Sequence, residues 1–489
     1  MLDAQRQQAI RTAVSALFDA IRGFDDVSVF RNHVLALLLL KYRSDLQHGA
    51  ANQNNLAWAY LSRGISEGLD FYALINAREE ADIGKRINNA LAALELENPS
   101  LQDVFQGIDF DSTTLGNPER RKFVLAQLLV GFDVAALDFR SGDELAARAV
   151  AFACDSLISQ IAVANGKQGG EFFTPPELSQ LIARLLRPEP GESVCDPCCG
   201  SGTLLLTCGR YAQKNPGQKN CELYGQEKNG STWALAKINM ALHGELDAVL
   251  EWGDTLRDPR LIVDGHLQTF DMVVSCPPFN VKNWGYELAE RDIYGRYRRG
   301  MPPRATGDYA FISHMVETLS PENGRVAVVV ALGVLFRSGA EQQIRSRLLQ
   351  ENLIDAVIAL PAKMFPHIGI PVALLVLRKK KSDNRVLFID ASRDYQRGKM
   401  QNTIRAEDLD RIESAYQARQ DVDRYARAVA LEEILGNDSN LSVARYVDST
   451  EDIEVIDLAA LRVERANLKV ELDALETKLT NMLKEVGHG

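Results

Sequence analysis

Apolar residues recur at helical spacing through the first ~155 residues, with Ile10, Val14, Leu17, Phe18 and Ile21 on one face. Residues 30–45, FRNHVLALLLLKYRSD, predict a buried helix, and the turn-rich DFDSTTLGNPERRK separates it from further helix around 123–130 and 143–161. A glycine-rich break, GKQGGEFFTPPEL, follows at 166–178. Beyond it the pattern changes to short apolar runs: ESVCD (192–196), ELYGQE (222–227), FDMVVS (270–275), RVAVVV (325–330), IDAVIAL (354–360) and VALLVLR (372–378). Helical segments such as 231–242 and 340–350 alternate with them. Continuous Val/Ile/Leu runs between helices predict a mainly parallel sheet covered on both faces. The last two runs are joined by a loop holding Pro361, Pro366 and Pro371 with no crossover helix, which admits an antiparallel strand there. After RVLFID (385–390) the chain turns polar and helical.

The final segment sets Leu458, Leu461, Leu468, Leu472, Leu475, Leu479 and Met482 at alternating three/four spacing, broken at Arg465. Such a seam suits either a helix packed on its own domain or one docking on a partner's coiled coil. The expected organisation is an N-terminal helical domain (1–160), a Rossmann-like α/β domain with a mostly parallel, doubly wound sheet (161–400), and a C-terminal helical region (401–489).

Hydrophobic content of 46% and charged content of 25% fit an ordinary globular chain of 489 residues. The longest obvious apolar run, 34–40, stops at Lys41, far short of a membrane span, and the N-terminus lacks a secretory layout. A cytoplasmic location with no membrane partner is expected. Seven cysteines without a pairing pattern predict reduced thiols, and Cys195, Cys198 and Cys199 lack the second ligand pair of a zinc site, so no metal is expected. The net charge of −11 bears on partners: a lone high-affinity DNA binder normally carries the opposite sign. A DNA substrate would then require a local basic surface or a basic partner.

Asp196-Pro-Cys-Cys-Gly200-Ser201-Gly202 closes the first predicted strand and opens a helix at Thr203, and Glu227 ends the second. Glycines let the backbone approach a ligand, and a carboxylate at the next strand end accepts both hydroxyls of a ribose. Together they point to an adenosine-containing cofactor.

GEFFTPPEL (170–178), DPCCGSGTLLL (196–206), GQE (225–227), GDTL (253–256) and CPPF (276–279) occur in that order. Together they resemble an amino-group DNA methyltransferase of the type I restriction-modification modification-subunit family. The 30–45 helix resembles that family's N-terminal helical domain, and 307–365 resembles the stretch after its catalytic motif. The resemblance implies S-adenosylmethionine as cofactor and N6 of adenine as methyl acceptor. It implies that Gly170, Glu171, Phe172, Phe173, Thr174 and Pro175 wrap the methionine end. Asp196, Gly200, Ser201, Gly202 and Thr203 would hold the methionyl and ribose portions, Glu227 the ribose hydroxyls, and Asp254 would face the adenine.

The exocyclic amine of adenine is a poor nucleophile, because its lone pair is delocalised, and the base must first leave the duplex. A side-chain amide oxygen and a backbone carbonyl then grip the amino protons while an aromatic ring stacks on the base. The family motif is Asn-Pro-Pro-Phe or Tyr; here it is Cys276-Pro277-Pro278-Phe279. Pro277 keeps the carbonyl and Phe279 the ring, but Cys276 offers only a weak sulfur acceptor. Natural attenuation, an engineered change and a compensated site are each compatible with Cys276. The rival is a catalytically inactive scaffold that binds cofactor and DNA in a defence complex.

Residues 291–304, RDIYGRYRRGMPPR, place Arg291, Arg296, Arg298, Arg299 and Arg304 around Tyr297, in a set suited to phosphates and bases, the alternative being a solvated loop. The RKKK run at 378–381 is expected to be a solvated edge. The C-terminal region is too short and helical for a target-recognition domain. The resemblance therefore implies a separate DNA specificity subunit, a second copy of this chain on it, double-stranded DNA as substrate, and an optional restriction motor subunit.

Overall fold

The computed structural model describes residues 2–21, 30–49, 68–164, 173–213, 220–365, 369–399, 401–449 and 458–485. The N-terminal layer holds helices Ala4–Ile21, Arg31–His48, Phe71–Asn76, Ile83–Glu97, Pro118–Phe132 and Glu144–Ala164. Local chemistry sets their ends: Asn117 caps the fifth by accepting the Arg120 N–H at 2.9 Å, with Pro118 at the first helical position. Helix Arg31–His48 is buried from Asn32 to Leu46. Lys41 within it survives burial because Asp45 pairs with it at 2.6 Å, and Asp45 also receives the Phe139 N–H at 2.9 Å. Helix Glu144–Ala164 is apolar enough in length and composition to cross a membrane, and it packs Val150, Ala153, Leu157 and Ile161 into the core.

The central sheet is built from β1 (Ser193–Asp196), β2 (Glu222–Glu227) and β3 (Val249–Trp252), then β6 (Met272–Ser275) and β7 (Arg325–Ala331). A small hairpin, β4 (Ile262–Val263) and β5 (His266–Leu267), stands apart from it. The sheet continues with β8 (Ile354–Ala359), β9 (Val372–Arg378), β10 (Arg385–Asp390) and β11 (Ala426–Ala430). The order is β11-β10-β8-β9-β7-β6-β1-β2-β3. All pairings are parallel except those of β9, antiparallel to β7 and β8, and of β11, antiparallel to β10. The valine runs are continuous because both faces are covered: Met272 and Val274 pack under the N-terminal helices, while Val273, Val326 and Val328 belong to the opposite core. The fold is thus the α/β, largely parallel, Rossmann-like sheet with helical additions that the pattern predicted.

One boundary moves. β11 and helix Ala406–Ala418 join the sheet and its flanking helices, so the sheet-bearing unit runs to Val447 and includes the N-terminal helices. The physical cause is that β10 would otherwise end the sheet with an open edge, which the returning chain covers by pairing with residues 385–389. Asp448–Gly489 is a second unit, holding one helix, Leu458–Glu485.

β1 lies between β2 and β6, so the connections leaving its carboxyl end and that of β6 diverge. Such a switch point opens a crevice at the carboxyl edge of the sheet.

Candidate functional site

At the end of β1, one oxygen of Asp196 accepts both the Cys198 N–H at 2.9 Å and the Ser275 hydroxyl at 2.8 Å. The turn that follows is glycine for steric reasons. Gly202 has φ +77°, and a Cβ there would meet the Met240 methyl at 2.8 Å. The Asn239 amide donates to the Ser201 carbonyl at 2.7 Å, and the Ser201 and Thr203 hydroxyls share a hydrogen bond of 2.8 Å where the helix Thr203–Ala212 begins.

β2 delivers Glu227 to the same edge. Its two carboxylate oxygens accept the Gly200 N–H at 3.1 Å and the Asn229 N–H at 2.7 Å. Asp254, just past β3, accepts the Leu256 N–H at 3.0 Å and pairs with Lys228 at 2.9 Å. β6 delivers Cys276, with Pro277 buried behind it and Pro278 exposed. The Thr174 side chain lies near enough to the Cys276 sulfur to favour its ionised form, against burial, so the FTPP and CPPF segments are neighbours. The Phe279 ring meets Phe365 edge-on, with centroids 5.9 Å apart.

Glu227, Asp254, Cys276 and Pro278 line one cavity of about 670 Å³, within the size range of small-molecule sites. Phe173 and Thr203 line a neighbouring cavity of about 490 Å³ instead. Asp196 and Ser201 are buried beneath the turn, and Pro175 is buried at the start of helix Pro176–Leu186. Gly170, Glu171 and Phe172 lie outside the described residues.

Burial raises the Asp196 carboxyl to about 7, against the Cys198 N–H and Ser275 hydroxyl, with the Glu227 charge nearby adding to the rise. Glu227 is also raised by burial, against the main-chain N–H groups it accepts and the charge of Arg31. The Cys276 thiol is pushed far above the ordinary range by burial, so it stays protonated at neutral pH. Two carboxylates on one crevice, Glu227 and Asp254, favour a ligand that brings positive charge and hydroxyl donors. A sulfonium nucleoside does both, so the residues present fit S-adenosylmethionine.

Sequence patterns missed several walls of the cavity: Arg31 from the N-terminal layer, Lys228, Ser231, Trp284 and Phe311. Trp284 is 2% exposed and donates its indole N–H to the Pro303 carbonyl at 2.9 Å. No sequence signal linked these positions, because they converge only through tertiary packing.

The arginine loop divides. Arg291 is exposed, as are Arg298 and Arg304, the last pairing with Glu287. Arg296 and Arg299, expected on a DNA-facing surface, are 4% and 1% exposed. Arg296 is held by Asp292 at 2.7 Å and by the carbonyls of Thr255 and Leu256, both at 3.1 Å. Arg299 is clamped between Glu317 and Glu351, the latter at 2.6 Å. Their carboxylates satisfy them internally, so they brace the loop rather than face a ligand. Tyr297 is half-buried, its ring edge-on to Trp284 at 5.8 Å.

The family model described as N-6 DNA Methylase matches residues 149–454, and that of the HsdM N-terminal domain matches residues 10–132. The chain is 32% identical to the type I restriction enzyme MjaVII methylase subunit of Methanocaldococcus jannaschii over 430 residues, 85% of this chain and 70% of that protein. It is 27% identical to the type I restriction enzyme MpnII methylase subunit of Mycoplasma pneumoniae, covering 99% of this chain and 97% of that one. The crystal structure of the type I restriction-modification system methyltransferase subunit from Streptococcus thermophilus superposes with a TM-score of 0.80 at 29% identity, covering 91% of this chain and 100% of that chain. By its sheet, its ordered strand-end motifs and these matches, the chain belongs to the N-6 DNA methylase family, as a type I restriction-modification methylase subunit that uses S-adenosylmethionine.

Proposed function

We propose that the chain transfers a methyl group to N6 of adenine in double-stranded DNA, within a complex whose sequence specificity resides in a separate subunit. The observation that carries this is the convergence of Glu227, Asp254, Cys276 and Pro278 on one cavity at the switch point of the sheet. S-adenosylmethionine supplies an electrophilic methyl group when bound. Glu227 accepts the ribose hydroxyls, Asp254 faces the adenine of the cofactor, and the turn 200–203 packs under the methionyl portion. Thr174 and Phe173 close the methionine end, with Gly170, Glu171, Phe172 and Pro175 in the same segment.

The Pro277 carbonyl and the Cys276 sulfur face the amino group of an extruded base, and Phe279 stacks on it. The protonated thiol is no nucleophile for cytosine C5, and it is a poor acceptor. Losing one oriented acceptor costs ~10² to 10³ in rate. Arg291, Arg298 and Arg304 face the DNA backbone. A chain of net charge −11 needs further positive surface, which the specificity subunit supplies. Two copies of the chain on one specificity subunit, with an optional restriction motor subunit, complete the assembly. The helix Leu458–Glu485, with its leucines exposed, is the docking element.

Labelled methyl transfer to duplex DNA by the partner-bound complex, followed by mapping of the modified base, tests the proposal. Label at adenine N6 supports it, and label at another base overturns it. A second reading, an inactive scaffold, is favoured by Cys276. It prevails if cofactor and DNA bind but even Cys276→Asn transfers no methyl group.

A further inference from the structure

The helix Arg31–His48 belongs to the N-terminal layer, yet its first residue lines the cavity at the carboxyl edge of the sheet. The Arg31 guanidinium donates to the Ser231 hydroxyl at 2.8 Å. Beside it, the Asn32 amide donates to the Ser231 carbonyl at 2.8 Å. Ser231 opens the helix that follows Glu227, so the two layers meet beside that carboxylate. Arg31 and Glu227 attract one another there, while burial opposes both charges. The half-buried guanidinium thus stands at the wall of the cavity that Glu227 also lines.

We propose that Arg31 is a positioning residue for the cofactor site, acting through Glu227, so that the N-terminal helical layer sets how tightly the ribose is held. This rests on the reading of Glu227 as the ribose acceptor. Each Glu227 oxygen already takes one main-chain N–H, so a ribose diol must use the remaining lone pairs. An ionised carboxylate has that capacity, whereas a protonated one gives part of it up. Burial disfavours the ionised form. Arg31, from the helical layer, favours it. Lys228, on the same loop, is engaged with Asp254. Removing the Arg31 charge therefore weakens the grip on the hydroxyls and leaves the rest of the cavity intact.

Calorimetry on the full chain decides this, with S-adenosylmethionine and its 2′,3′-dideoxyribose analogue as probes. Arg31→Gln keeps a polar side chain but removes the charge and, being shorter, the contact with Ser231. It is expected to weaken S-adenosylmethionine binding about tenfold. It should also raise the pH at which binding fails on the acid side, and leave the analogue's affinity unchanged. Arg31→Lys should recover most of the loss. Unchanged binding of S-adenosylmethionine by Arg31→Gln overturns the proposal, as does an equal loss for both probes without rescue by lysine. Should Arg31→Gln melt early, Arg31→Lys and Ser231→Ala measured with the same two probes decide it: selective loss for the hydroxyl-bearing probe with Ser231→Ala supports it, and none overturns it. Glu227→Ala separates the two readings. If that variant binds S-adenosylmethionine as tightly as the parent chain, the assignment of Glu227 itself falls.

Discussion

The Ser275 hydroxyl donates to Asp196 Oδ1 at 2.8 Å, tying the end of β6 to the end of β1 where the two connections diverge. The Cys198 N–H reaches the same oxygen, so the other carboxylate oxygen carries the proton when the acid is neutral. Burial raises this carboxyl to about 7 from an ordinary value of 3.8. A group raised in the folded state binds more protons folded than unfolded between those values. Its contribution to stability is full below the lower value and is lost as pH rises through the higher one. The cofactor-free chain should therefore lose melting temperature between about pH 4 and about pH 7 through this group. Asp196→Asn, which mimics the neutral acid, should melt higher than the parent at pH 8 and close to it at pH 4. Equal melting curves for the two at pH 8 would remove the buried-acid account.

Cys276 lines the crevice beside Pro278. Replacement Cys276→Asn restores an oriented carbonyl acceptor and is expected to raise methyl incorporation by ~10² to 10³. Because the thiol titrates far above neutrality, the parent's rate should show no thiolate limb between pH 7 and 9. Rapid-quench methyl transfer across that range checks both. A rate that climbs with a thiol-like midpoint would point to a thiolate in the chemistry.

Arg299 and Arg291 lie eight residues apart in one loop but answer to different physics. Arg299 is 1% exposed between Glu317 and Glu351. Arg299→Ala removes the buried partner of Glu317 and Glu351, leaving them only the exposed Arg298, and should cost about 1.5–3 kcal/mol in urea unfolding. Arg291 is exposed, so Arg291→Ala should change stability by less than about 0.5 kcal/mol. In the partner-bound complex it should instead flatten the log–log salt dependence of DNA binding by about one. A large unfolding cost for Arg291→Ala, or none for Arg299→Ala, would reverse the division of the loop.

The same loop marks where the sequence stops being informative. The strand-end motifs were legible because their chemistry is local: Asp196, the glycine turn and Glu227 fall at the ends of short β-rich runs visible in one dimension. β9 was foreseeable as antiparallel because the prolines before it leave no room for a crossover helix. Arg296 and Arg299 were not separable from Arg291, since a run of arginines carries no mark of which will meet Glu317 or Glu351 in the fold. Arg31 likewise reads as the polar start of an apolar helix until packing places it beside Glu227. β11 escaped notice because ARAVA is short and alanine-rich, and its strand character comes from the β10 edge it covers.

The helix Leu458–Glu485 presents an unbroken test of the docking proposal. Leu468, Leu472, Leu475, Leu479 and Met482 are between 54% and 58% exposed, on the three/four seam. A seam of this kind gains stability only by burial against another apolar stripe, at about 1.5–3 kcal/mol per leucine. Leu468→Glu with Leu475→Glu should leave the melting of the unit ending at Val447 unchanged. It should weaken assembly with the specificity subunit on the order of a thousandfold, measured by sedimentation of the mixed proteins. Arg465 interrupts the seam at a core position, where a polar residue fixes register at a cost in stability. Arg465→Leu should accordingly tighten assembly while letting this helix self-associate, which sedimentation of the chain alone would detect. Unaltered assembly by the double glutamate variant would move the docking surface elsewhere on the chain.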